Sequence, residues 1–276
     1  MAMQGNGCAW QDGQVPASQA ERLEWLVRQL LAEEGRYAGI EVPADEDGRF
    51  RLYRSLVNVR PPRETSERYL AVEDAYLQER ARERGTVDAA ALPEAEPGIA
   101  LWQGDITRLA ADAIVNAANS QMLGCFVPCH GCIDNAIHTA AGVRLRLACA
   151  ELMATKPGPE PTGVAEVTPG FDLPAAHVLH TVGPIVPTHR PHTLERKQLA
   201  SCYRSCLDLA TNSGLRTVAF CCISTGEFGY PPREAAKVAT DTVRAWLSGP
   251  GAGTGTKVVF DVFSDADRRI YEELLG

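Results

Sequence analysis

Apolar residues near the start of the chain recur at helical spacing. Leu23, Leu26 and Leu30 lie three or four positions apart, with Trp25 beside them, as expected for one face of an amphipathic helix. Ser18 stands before this stretch with a glutamate three positions later, a pairing typical of a capping box. The pattern therefore predicts a helix that begins after Ser18 and ends before the glycine at position 35.

A turn-rich break over residues 41–50 separates this helix from two further apolar stretches. The first stretch, residues 51–60, is short and is ended by two prolines, which cannot continue a helix or a central strand. The second, residues 64–85, places Tyr69 and Tyr76 two turns apart and ends in basic residues before a glycine. It therefore predicts a second helix.

Residues 91–98, ALPEAEPG, mark a change in composition. Two prolines and a glycine within eight residues are typical of a linker. We therefore predict a mainly helical N-terminal extension over residues 1–97 and a separate domain over residues 98–276.

From position 99 onward, strand-like and helix-like segments alternate. Short apolar runs predict strands, and longer amphipathic stretches predict helices. The predicted strands are GIALWQG, DAIVNAA, GVAEVTP, AHVLHTV, TVAFCCI and KVVFDVF, and the predicted helices are NAIHTAAGVRLRLACAELM, LERKQLASCYRSCLDLATNSG, PREAAKVATDTVRAWLS and DADRRIYEELL. This alternation predicts a layered α/β domain with helices on both faces of a sheet.

The composition is typical of a soluble globular protein. Hydrophobic residues make up 45% of the 276 positions and charged residues 22%. No apolar run reaches the length of a membrane span, and the N-terminus lacks a basic segment followed by an apolar one, so we expect a cytoplasmic protein without a membrane partner. The formal charge of −8 argues against a nucleic-acid partner but leaves room for a small anion pocket.

Three cysteines and a histidine lie within the eight residues CFVPCHGC, positions 125–132. In a reducing compartment such density is more typical of a metal site or a catalytic site than of disulfides. Five other cysteines lie in apolar surroundings, where we expect buried free thiols. These are Cys149, Cys202, Cys206, Cys221 and Cys222.

Polar residues at predicted strand ends offer groups that could bind a nucleotide. Asp105, in the segment GDIT, could accept a hydrogen bond from an exocyclic amine such as that of adenine, or it could cap a turn. Asn116 and Asn119 could read ribose hydroxyls, or they could cap turns. The residues alone leave both alternatives open in each case.

The segment CISTGEFGYP, residues 222–231, joins a predicted buried strand to a predicted helix. Its backbone N–H groups could point at an anion, and the missing Cβ atoms of Gly226 and Gly229 would let a phosphate approach closely. Glycine and serine are also common in ordinary strand-to-helix turns. The glycine spacing matches neither the Walker motif nor the dinucleotide motif.

In combination these segments resemble the macrodomain family of ADP-ribose-binding modules. The resemblance covers residues 99–276 and rests on GDIT, AIVNAAN, AIHTAAG, LHTVGP, LASCYRSCLDLA and ISTGEFGYP in the family's order. It implies a three-layer α/β/α fold with a mixed central sheet. Where most hydrolytic members have a run of glycines, CFVPCHGC resembles the zinc-containing branch of protein-ADP-ribosyl hydrolases. Members of that branch tend to carry a helical N-terminal extension, which could pack on the domain or face the modified protein.

The resemblance implies a metal site. The ligand pattern of the branch falls on Cys125, His130 and Cys132, which would bind one zinc ion per chain and leave a fourth position for water or substrate. The alternative is a closed structural site that also uses Cys129. Adjacent residues 129 and 130 would have difficulty reaching one ion without strain.

The resemblance also implies how ADP-ribose would bind. Adenine would contact the Asp105 side chain, the Ile106 N–H and the ring of Phe263, although Phe263 could equally be a core strand residue. Asn119 would bind the distal ribose. The remaining contacts would come from N–H groups of Ile133, Asp134 and Asn135 and from the segment Ser224, Thr225, Gly226, Glu227, Phe228, Gly229 and Tyr230.

Three further polar residues lie near these motifs. His138 and His180 are predicted to be packed structural histidines. Glu227 stands where the family pattern has a small or apolar residue. It could face solvent or act near the distal ribose.

These expectations favour a hydrolase that cleaves the bond between ribose C1″ and a protein side chain. Asp134, as N-cap of the following helix, would position the attacking water or accept its proton, with Asn119 beside it. Zinc would orient the ribose or lower the pKa of a bound water. The alternatives are a non-catalytic ADP-ribose reader and a hydrolase of O-acetyl-ADP-ribose. The expected partners are ADP-ribose, the modified protein and a sirtuin-type ADP-ribosyltransferase.

Overall fold

The computed structural model describes residues 15–276, so predictions for residues 1–14 lie outside it, including those on the N-terminal segment and the start of the extension. The helices are α1 Gln19–Ala32, α2 Glu46–Val59, α3 Glu67–Glu83, α4 Ile133–Ala141, α5 Val143–Ala154, α6 Thr193–Asn212, α7 Pro232–Ser248 and α8 Asp265–Leu275. The strands are β1 Val87–Asp88, β2 Glu94–Glu96, β3 Ile99–Gln103, β4 Leu109–Ala110, β5 Ala113–Ala118, β6 Ala165–Pro169, β7 His177–Val182, β8 Thr217–Phe220 and β9 Lys257–Val262. None of the helices described is both long and apolar enough to span a membrane.

Helix α1 begins as predicted, whereas helix α2 was not predicted as a helix. Ser18 Oγ accepts a hydrogen bond from Glu21 N at 3.3 Å, and Glu21 Oε2 accepts one from Ser18 N at 3.0 Å, which confirms the capping box. Helix α2 starts at Glu46, inside the stretch that we predicted as a break. Asp45 caps it by accepting a hydrogen bond from Gly48 N at 2.7 Å. This cap and the acidic first turn stabilise a helix start that the turn-forming composition hides.

The three helices of the extension share a core that reaches into the rest of the chain. Buried side chains of α1, α2 and α3 form one apolar cluster that includes Val143 at the start of α5. Within it the Glu73 carboxylate accepts hydrogen bonds from the hydroxyls of Tyr53 at 2.7 Å and Tyr69 at 3.2 Å, and from Val143 N at 2.9 Å. Burial raises the pKa of Glu73, and these hydrogen bonds oppose the shift. Helix α3 is therefore tied to the start of α5.

Among the described residues, seven strands form a mixed central sheet in the order β2-β3-β9-β8-β5-β7-β6. The outer strands β2 and β6 are antiparallel to their neighbours, and the other pairs are parallel. From β5 the chain passes through α4, α5 and the edge strand β6 to reach β7 on one side of β5. It then passes through α6 to reach β8 on the other side of β5. Because such crossovers are right-handed, these connections place helices on both faces of the sheet. The predicted three-layer fold with a mixed sheet is confirmed.

Strand pairing extends across the predicted domain boundary. Strand β1 pairs with β4, and strand β2 pairs with β3, so the segment predicted as a linker contains a strand. Glu96 of β2 also forms an ion pair with Arg244 of α7. The linker prediction is wrong because three residues are too few to show an alternating pattern, and β2 is stabilised by pairing with β3. The boundary near Pro97 itself stays a prediction.

The single helix predicted over residues 135–153 is two helices in the structure. Gly142, between α4 and α5, has a left-handed φ of 80°, which glycine adopts at little cost. A Cβ atom there would lie 2.7 Å from Glu73 Oε2 and 3.0 Å from Asp172 Oδ2. The close approach of these carboxylates explains why the interruption falls at a glycine. The other strands and helices predicted after position 98 are present, although β8 ends at Phe220, three residues early.

All eight cysteines of the described range are free thiols. Cys149, Cys202, Cys206 and Cys221 are buried as predicted, whereas Cys222 is partly exposed. Burial raises the pKa of all five thiols. They are therefore un-ionised packing groups at neutral pH.

Candidate functional site

Polar groups from several strand ends meet at one edge of the sheet. Strands β3, β9, β8 and β5 are parallel neighbours, and their carboxyl ends are followed by Asp105, residues 222–231 and Asn119. The strand order reverses at β5. In an open α/β sheet, the crevice at the carboxyl ends of the strands beside such a reversal is the usual place for a ligand. The predicted nucleotide-binding segments are therefore brought to one edge.

Asp134 lies in the first turn of α4 and is held by two amides. Asn116 Nδ2 donates to Asp134 Oδ1 at 2.8 Å, and Asn119 Nδ2 lies 3.5 Å from Asp134 Oδ2. Burial raises the pKa of Asp134 to about 6, against the opposing effects of the Asn116 hydrogen bond and the Arg146 charge. A buried carboxylate with a pKa near neutral is well matched to accepting a proton at pH 7.

The N-cap of α4 is Cys132, so the prediction that Asp134 occupies this position is wrong. Helix α4 begins at Ile133, and Cys132 Sγ accepts a hydrogen bond from Asn135 N at 3.4 Å. Because the helix starts two residues earlier than predicted, Asp134 lies within the first turn. The Asn135 N–H, which was predicted to face ligand, is used by Cys132. The predicted ligand contacts of the Ile133 and Asp134 N–H groups stay predictions.

A buried hydrogen-bond relay holds the amide of Asn116 in one orientation. Asn116 Nδ2 donates to Asp134 and also faces His180 Nδ1 at 3.2 Å. With Nδ1 as the acceptor, the ring proton lies on Nε2, which faces Thr168 Oγ1 at 2.9 Å. Burial lowers the pKa of His180 to about 4, so its ring is neutral. His180 is packed as predicted, but its link to Asn116 crosses from β7 to β5 and is not visible in either segment alone.

A buried group of side chains that could in principle hold a metal ion lies close to Asp134. His138, Cys149 and His180 are buried and place their ligand atoms within 4.8 Å of one another. His138 Nε2 is 3.4 Å from Asp134 Oδ1, and burial lowers the pKa of His138 well below its ordinary value. Both ring nitrogens of His180 already take part in the relay. The group is therefore packed support for Asp134, and His138 is the structural histidine that we predicted.

The half-buried side chains of Cys125, His130 and Cys132 converge. Their ligand atoms lie within 4.8 Å of one another, and Cys125 Sγ is 3.6 Å from His130 Nδ1. Two ligands of one tetrahedral ion, bound at about 2.3 Å through sulfur and about 2.0 Å through nitrogen, would be about 3.5 Å apart. Burial raises the pKa of Cys132 to about 12, and the neighbouring Cys125 adds to the shift. A cation between the thiols would favour their ionised form.

Cys129 points away from this cluster. Its sulfur lies 3.4 Å from Arg51 O, and its backbone has a left-handed φ of 53°. This conformation turns the adjacent side chains of Cys129 and His130 to different sides. The converging ligand atoms therefore favour the site with three protein ligands over the closed alternative, and metal binding itself stays a prediction.

Glu227 reaches the same cluster from the loop after β8. Its Oε1 lies 3.4 Å from His130 Nε2, while His130 Nδ1 faces Cys125 Sγ. A carboxylate on the outer nitrogen of a histidine orients the ring and selects the tautomer that can bind a metal through the other nitrogen. Glu227 is mostly exposed, as one of our alternatives held, but its carboxylate is also directed at His130, a candidate metal ligand.

At the other end of the crevice, Asp105 is engaged by protein groups. Its carboxylate accepts hydrogen bonds from Thr107 N at 3.0 Å and Thr107 Oγ1 at 2.6 Å, and it forms an ion pair with Arg84 of the extension. Burial raises the pKa of Asp105, but these contacts outweigh burial and the pKa is lowered. The turn-capping alternative is confirmed, while adenine recognition stays a prediction. A cavity of about 250 Å³ lies beside Asp105, walled partly by α2 and α3.

The two other residues predicted to contact adenine differ in exposure. Phe263 follows β9 and is 80% exposed, so the alternative of a core strand residue is wrong. Its stacking on adenine stays a prediction. The Ile106 side chain is buried, which agrees with a contact made through its backbone N–H.

The loop between β8 and α7 folds back on itself. Ser224 and Gly229 have left-handed φ values of 67° and 69°. Gly229 N donates to Gly226 O at 2.9 Å, and Thr225 N donates to the carbonyl three residues before it at 3.4 Å. The predicted phosphate contacts are mainly the N–H groups of Thr225, Gly226, Phe228 and Gly229, and those of Thr225 and Gly229 are thus used within the loop. Those of Gly226 and Phe228 have no backbone acceptor within residues 15–276.

The loop after β7 supports the loop between β8 and α7, a contact that the residue pattern did not predict. Val186 N donates to Phe228 O at 2.7 Å. A Cβ atom at Gly183 would lie 2.1 Å from Ser224 Oγ, so only glycine allows this approach. Tyr230, which was predicted to contact ligand, has a buried side chain. The glycine in LHTVGP was the available signal for this contact, but it could not identify the partner.

Comparisons with known proteins agree with this geometry. The model of the macro domain family matches residues 115–239. A protein-ADP-ribose hydrolase of Treponema medium is 48% identical over 266 residues, which covers 94% of this chain and 100% of the relative. One of Staphylococcus aureus (strain MRSA252) is 44% identical over 256 residues, covering 93% and 96%. The crystal structure of a Trypanosoma brucei macrodomain in complex with ADP-ribose matches with a TM-score of 0.62 at 34% identity, covering 81% of this chain and 95% of that one.

Proposed function

Because the chain belongs to the macro domain family, we propose that it is a hydrolase that removes mono-ADP-ribose from modified protein side chains. The names of its relatives support ADP-ribose hydrolysis as the reaction. One observation carries the proposal. A cluster of three metal-binding side chains and a buried carboxylate held by two amides lie within the ten residues 125–134.

Cys125, His130 and Cys132 would hold one zinc ion. Two thiolates and an imidazole are ligands that suit zinc, and the 3.6 Å between Cys125 Sγ and His130 Nδ1 fits its bond lengths. When bound, zinc would polarise the scissile oxygen and lower the pKa of a coordinated water. Glu227 would keep the His130 ring in the tautomer that presents Nδ1.

Asp134 is the group placed to accept a proton from the attacking water. Asn116 holds Asp134 Oδ1 at 2.8 Å, which leaves Oδ2, beside Asn119, to take the proton. As the water oxygen bonds to ribose C1″, the bond from C1″ to the side chain of the modified protein breaks. The proton on Asp134 then passes to the leaving side chain. A general base of this kind contributes about 10²–10⁴ in rate.

The nucleotide would lie along the carboxyl edge of the sheet. Asp105, Ile106 and Phe263 would contact adenine, and the loop after β8 would hold the diphosphate. Arg84 would have to share or release the Asp105 carboxylate, with which it forms an ion pair. Asn119 would bind the distal ribose next to Asp134.

Two other functions make different demands on this site. A non-catalytic ADP-ribose reader would need the nucleotide crevice, but it would gain little from a three-ligand metal cluster beside Asp134. A hydrolase of O-acetyl-ADP-ribose would use the same groups on a smaller substrate. Turnover of O-acetyl-ADP-ribose and of ADP-ribosylated protein, measured side by side, separates all three functions.

The proposed function is tested with Asp134→Ala and Cys132→Ala. Purified wild-type protein should contain one zinc ion per chain by elemental analysis, and Cys132→Ala should lose it. Asp134→Ala should keep zinc and ADP-ribose binding while turnover of modified protein falls by about 10²–10⁴. Cys129→Ser is the matched control, because this thiol points away from the cluster. Wild-type turnover by both Asp134→Ala and Cys132→Ala would contradict the proposed roles of these two residues.

The cellular setting is also a proposal. A cytoplasmic sirtuin-type ADP-ribosyltransferase would attach the group that this chain removes. Proteins modified by such a transferase, and proteins carrying ADP-ribose on different amino acids, should be compared as substrates with and without chelator. Equal turnover of all of them would argue against a dedicated transferase partner.

A further inference from the structure

The metal loop, residues 124–132, is attached to helix α2 of the N-terminal extension by two side chains. Arg54 Nη2 donates a hydrogen bond to His130 O at 2.7 Å, although the two residues are 76 positions apart. Asn58 Oδ1 accepts a hydrogen bond from Cys129 N at 2.9 Å across 71 positions. Both contacts hold the backbone between the first and last of the metal-binding residues.

The same two side chains also hold helix α4. Arg54 Nε and Nη2 both donate to Asn135 Oδ1, at 3.0 and 2.8 Å. Asn58 Nδ2 donates to Thr139 Oγ1 at 3.0 Å, and Asn135 Nδ2 donates to Val127 O at 3.0 Å. Helix α2, the metal loop and helix α4 thus share one hydrogen-bond network, and Asp134 lies in the turn of α4 that this network anchors.

Arg146 of α5 connects the end of α2 to the metal loop from another side. Its Nη1 donates to Val57 O at 3.0 Å and to Arg60 O at 2.5 Å. Its guanidinium lies 4.3 Å from the centre of the Phe126 ring, within the range of a cation–π interaction. Burial lowers the pKa of Arg146 to about 10, so it is still charged at neutral pH.

Helix α2 can hold the loop because its two faces differ. Arg54 and Asn58 lie four residues apart, which places them on one face. Side chains on the opposite face, Tyr53, Leu56 and Val57, are buried in the core of the extension. The helix is therefore fixed by its apolar face and presents its polar face to the loop.

We propose that Arg54 and Asn58 are positioning residues that hold the metal loop in its ligand-binding conformation, so that the N-terminal extension is a working part of the active site. The inference rests on the proposed function, since the loop is argued to bind zinc. It goes beyond that function by assigning a role to two residues outside the α/β domain.

The metal loop needs this support because its own structure restrains it little. It contains no helix or strand, Phe126 and Val127 are exposed, and Cys129 adopts a left-handed φ of 53°. A free loop of this kind would populate many conformations, which metal binding would have to restrict. Partners that orient metal ligands from outside typically contribute about 10–100-fold in metal affinity.

The test compares Arg54→Met and Asn58→Ala with a matched control, Arg51→Ala. Arg51 lies on the same helix, and its exposed side chain makes no hydrogen bond or ion pair with the part of the chain that the structure describes. Zinc affinity is measured by competition with a colorimetric chelator. Arg54→Met and Asn58→Ala should bind zinc about 10–100-fold more weakly than wild type, and Arg51→Ala should match wild type.

Two further measurements separate positioning from a general loss of structure. Saturating zinc should restore most of the turnover of the weakened variants, which a folding defect would not allow. Arg54→Lys keeps the charge but loses the two-pronged contact, so its zinc affinity should fall between those of wild type and Arg54→Met. Thermal unfolding is recorded for every variant, and Arg54→Lys decides the question if a more severe variant is unfolded.

Backbone amide hydrogen exchange of the metal-free protein tests the inference independently of zinc. Amides of residues 125–132 should exchange faster in Asn58→Ala than in Arg51→Ala, while α1 and α3 keep their protection. Equal zinc affinity and equal loop protection in Arg54→Met, Asn58→Ala and Arg51→Ala would overturn the inference. Wild-type protein without bound zinc would instead contradict the proposed function, and the exchange comparison would still decide whether α2 holds the loop.

Discussion

At the scale of single residues, the surroundings of Asp134 determine its chemistry. Burial raises the pKa of its carboxyl group to about 6, and the hydrogen bond from Asn116 opposes that shift. His180 and Thr168 keep the Asn116 amide turned toward Asp134. The relay therefore adjusts both the position and the proton affinity of the proposed base.

The pH dependence of turnover should report this carboxyl group. The base form of Asp134 is lost as the pH falls through about 6, so kcat should decline below that value. Asn116→Leu removes the hydrogen bond that favours the carboxylate, so the pKa of Asp134 should rise and the acidic limb should move to higher pH. The measurement is the pH profile of kcat, with zinc content checked in both proteins. An unshifted limb in the variant would contradict this role for Asn116.

Asp134 should also limit the stability of the fold at neutral pH. Its folded-state pKa of about 6 lies above the reference value of 3.8, so its stabilising contribution is complete below pH 3.8 and is lost as the pH rises through 6. Asp134→Asn removes the buried charge and should raise the free energy of unfolding at pH 8 by about 1–3 kcal/mol. Near pH 4 the two proteins should be similar. Urea unfolding at both pH values is the measurement, and no gain at pH 8 would contradict the expectation.

At the scale of elements, the junction between α4 and α5 shows how a distant contact ends a helix. The apolar pattern of residues 135–153 continues across the junction, and Gly142 is the only glycine in this stretch. The junction is determined by Glu73 of α3, whose carboxylate accepts a hydrogen bond from Val143 N at 2.9 Å. The first N–H group of α5, that of Val143, therefore finds its hydrogen-bond acceptor in the extension.

Substitution of Gly142 should be costly for this reason. In Gly142→Ala the left-handed φ of 80° is strained, and the new methyl group would meet the Glu73 carboxylate at 2.7 Å. We expect the free energy of unfolding to fall by about 1–3 kcal/mol. Gly158→Ala is the matched control, because nothing lies within 4 Å of a Cβ atom at that position. Equal unfolding midpoints in denaturant for the two variants would disprove this account of the junction.

At the scale of the whole molecule, the extension and the α/β domain are joined by backbone, side-chain and apolar contacts. Strands β1 and β2 pair with β4 and β3, and Val143 of α5 belongs to the apolar core of the extension. Arg54 and Arg84 reach the two ends of the candidate site, at His130 and at Asp105. A domain boundary drawn from composition alone does not describe this degree of contact.

Removal of the extension should therefore damage the remaining chain. A protein that begins at residue 98 would lose β1 and β2, the buried Ala89 of the main core, and the helices against which Val143 packs. We expect it to unfold without a cooperative transition or to aggregate. Circular dichroism during heating and size-exclusion chromatography test this against the full chain. A monomeric fragment with full zinc content and turnover would show that the extension is dispensable.

Local patterns predicted those parts of the fold whose information lies within one segment. The capping box at Ser18 was correct because both partners lie three residues apart. The central strands were correct because their buried, β-branched runs differ clearly from the amphipathic helices around them. Helix α2 was missed because its cap, Asp45, lies in a stretch of turn-forming composition. Strand β2 and the break at Gly142 were missed because β3 and Glu73, which decide them, lie outside the segments concerned.

The sequence by itself determined the types of chemical group at the candidate site and most of the elements that carry them. Residues 125–132 contain three side chains that could hold a metal ion, and the resemblance to the ligand pattern of a family branch separated them from Cys129. Only the tertiary structure decided what surrounds those groups: the relay from Thr168 to Asp134, the carboxylate of Glu227 on His130, and the hold of α2 on the metal loop. The physical reason is that these contacts join residues far apart in the chain, such as His130 and Glu227, which are 97 positions apart. They therefore depend on how helices and strands pack and leave no periodic trace in the chain.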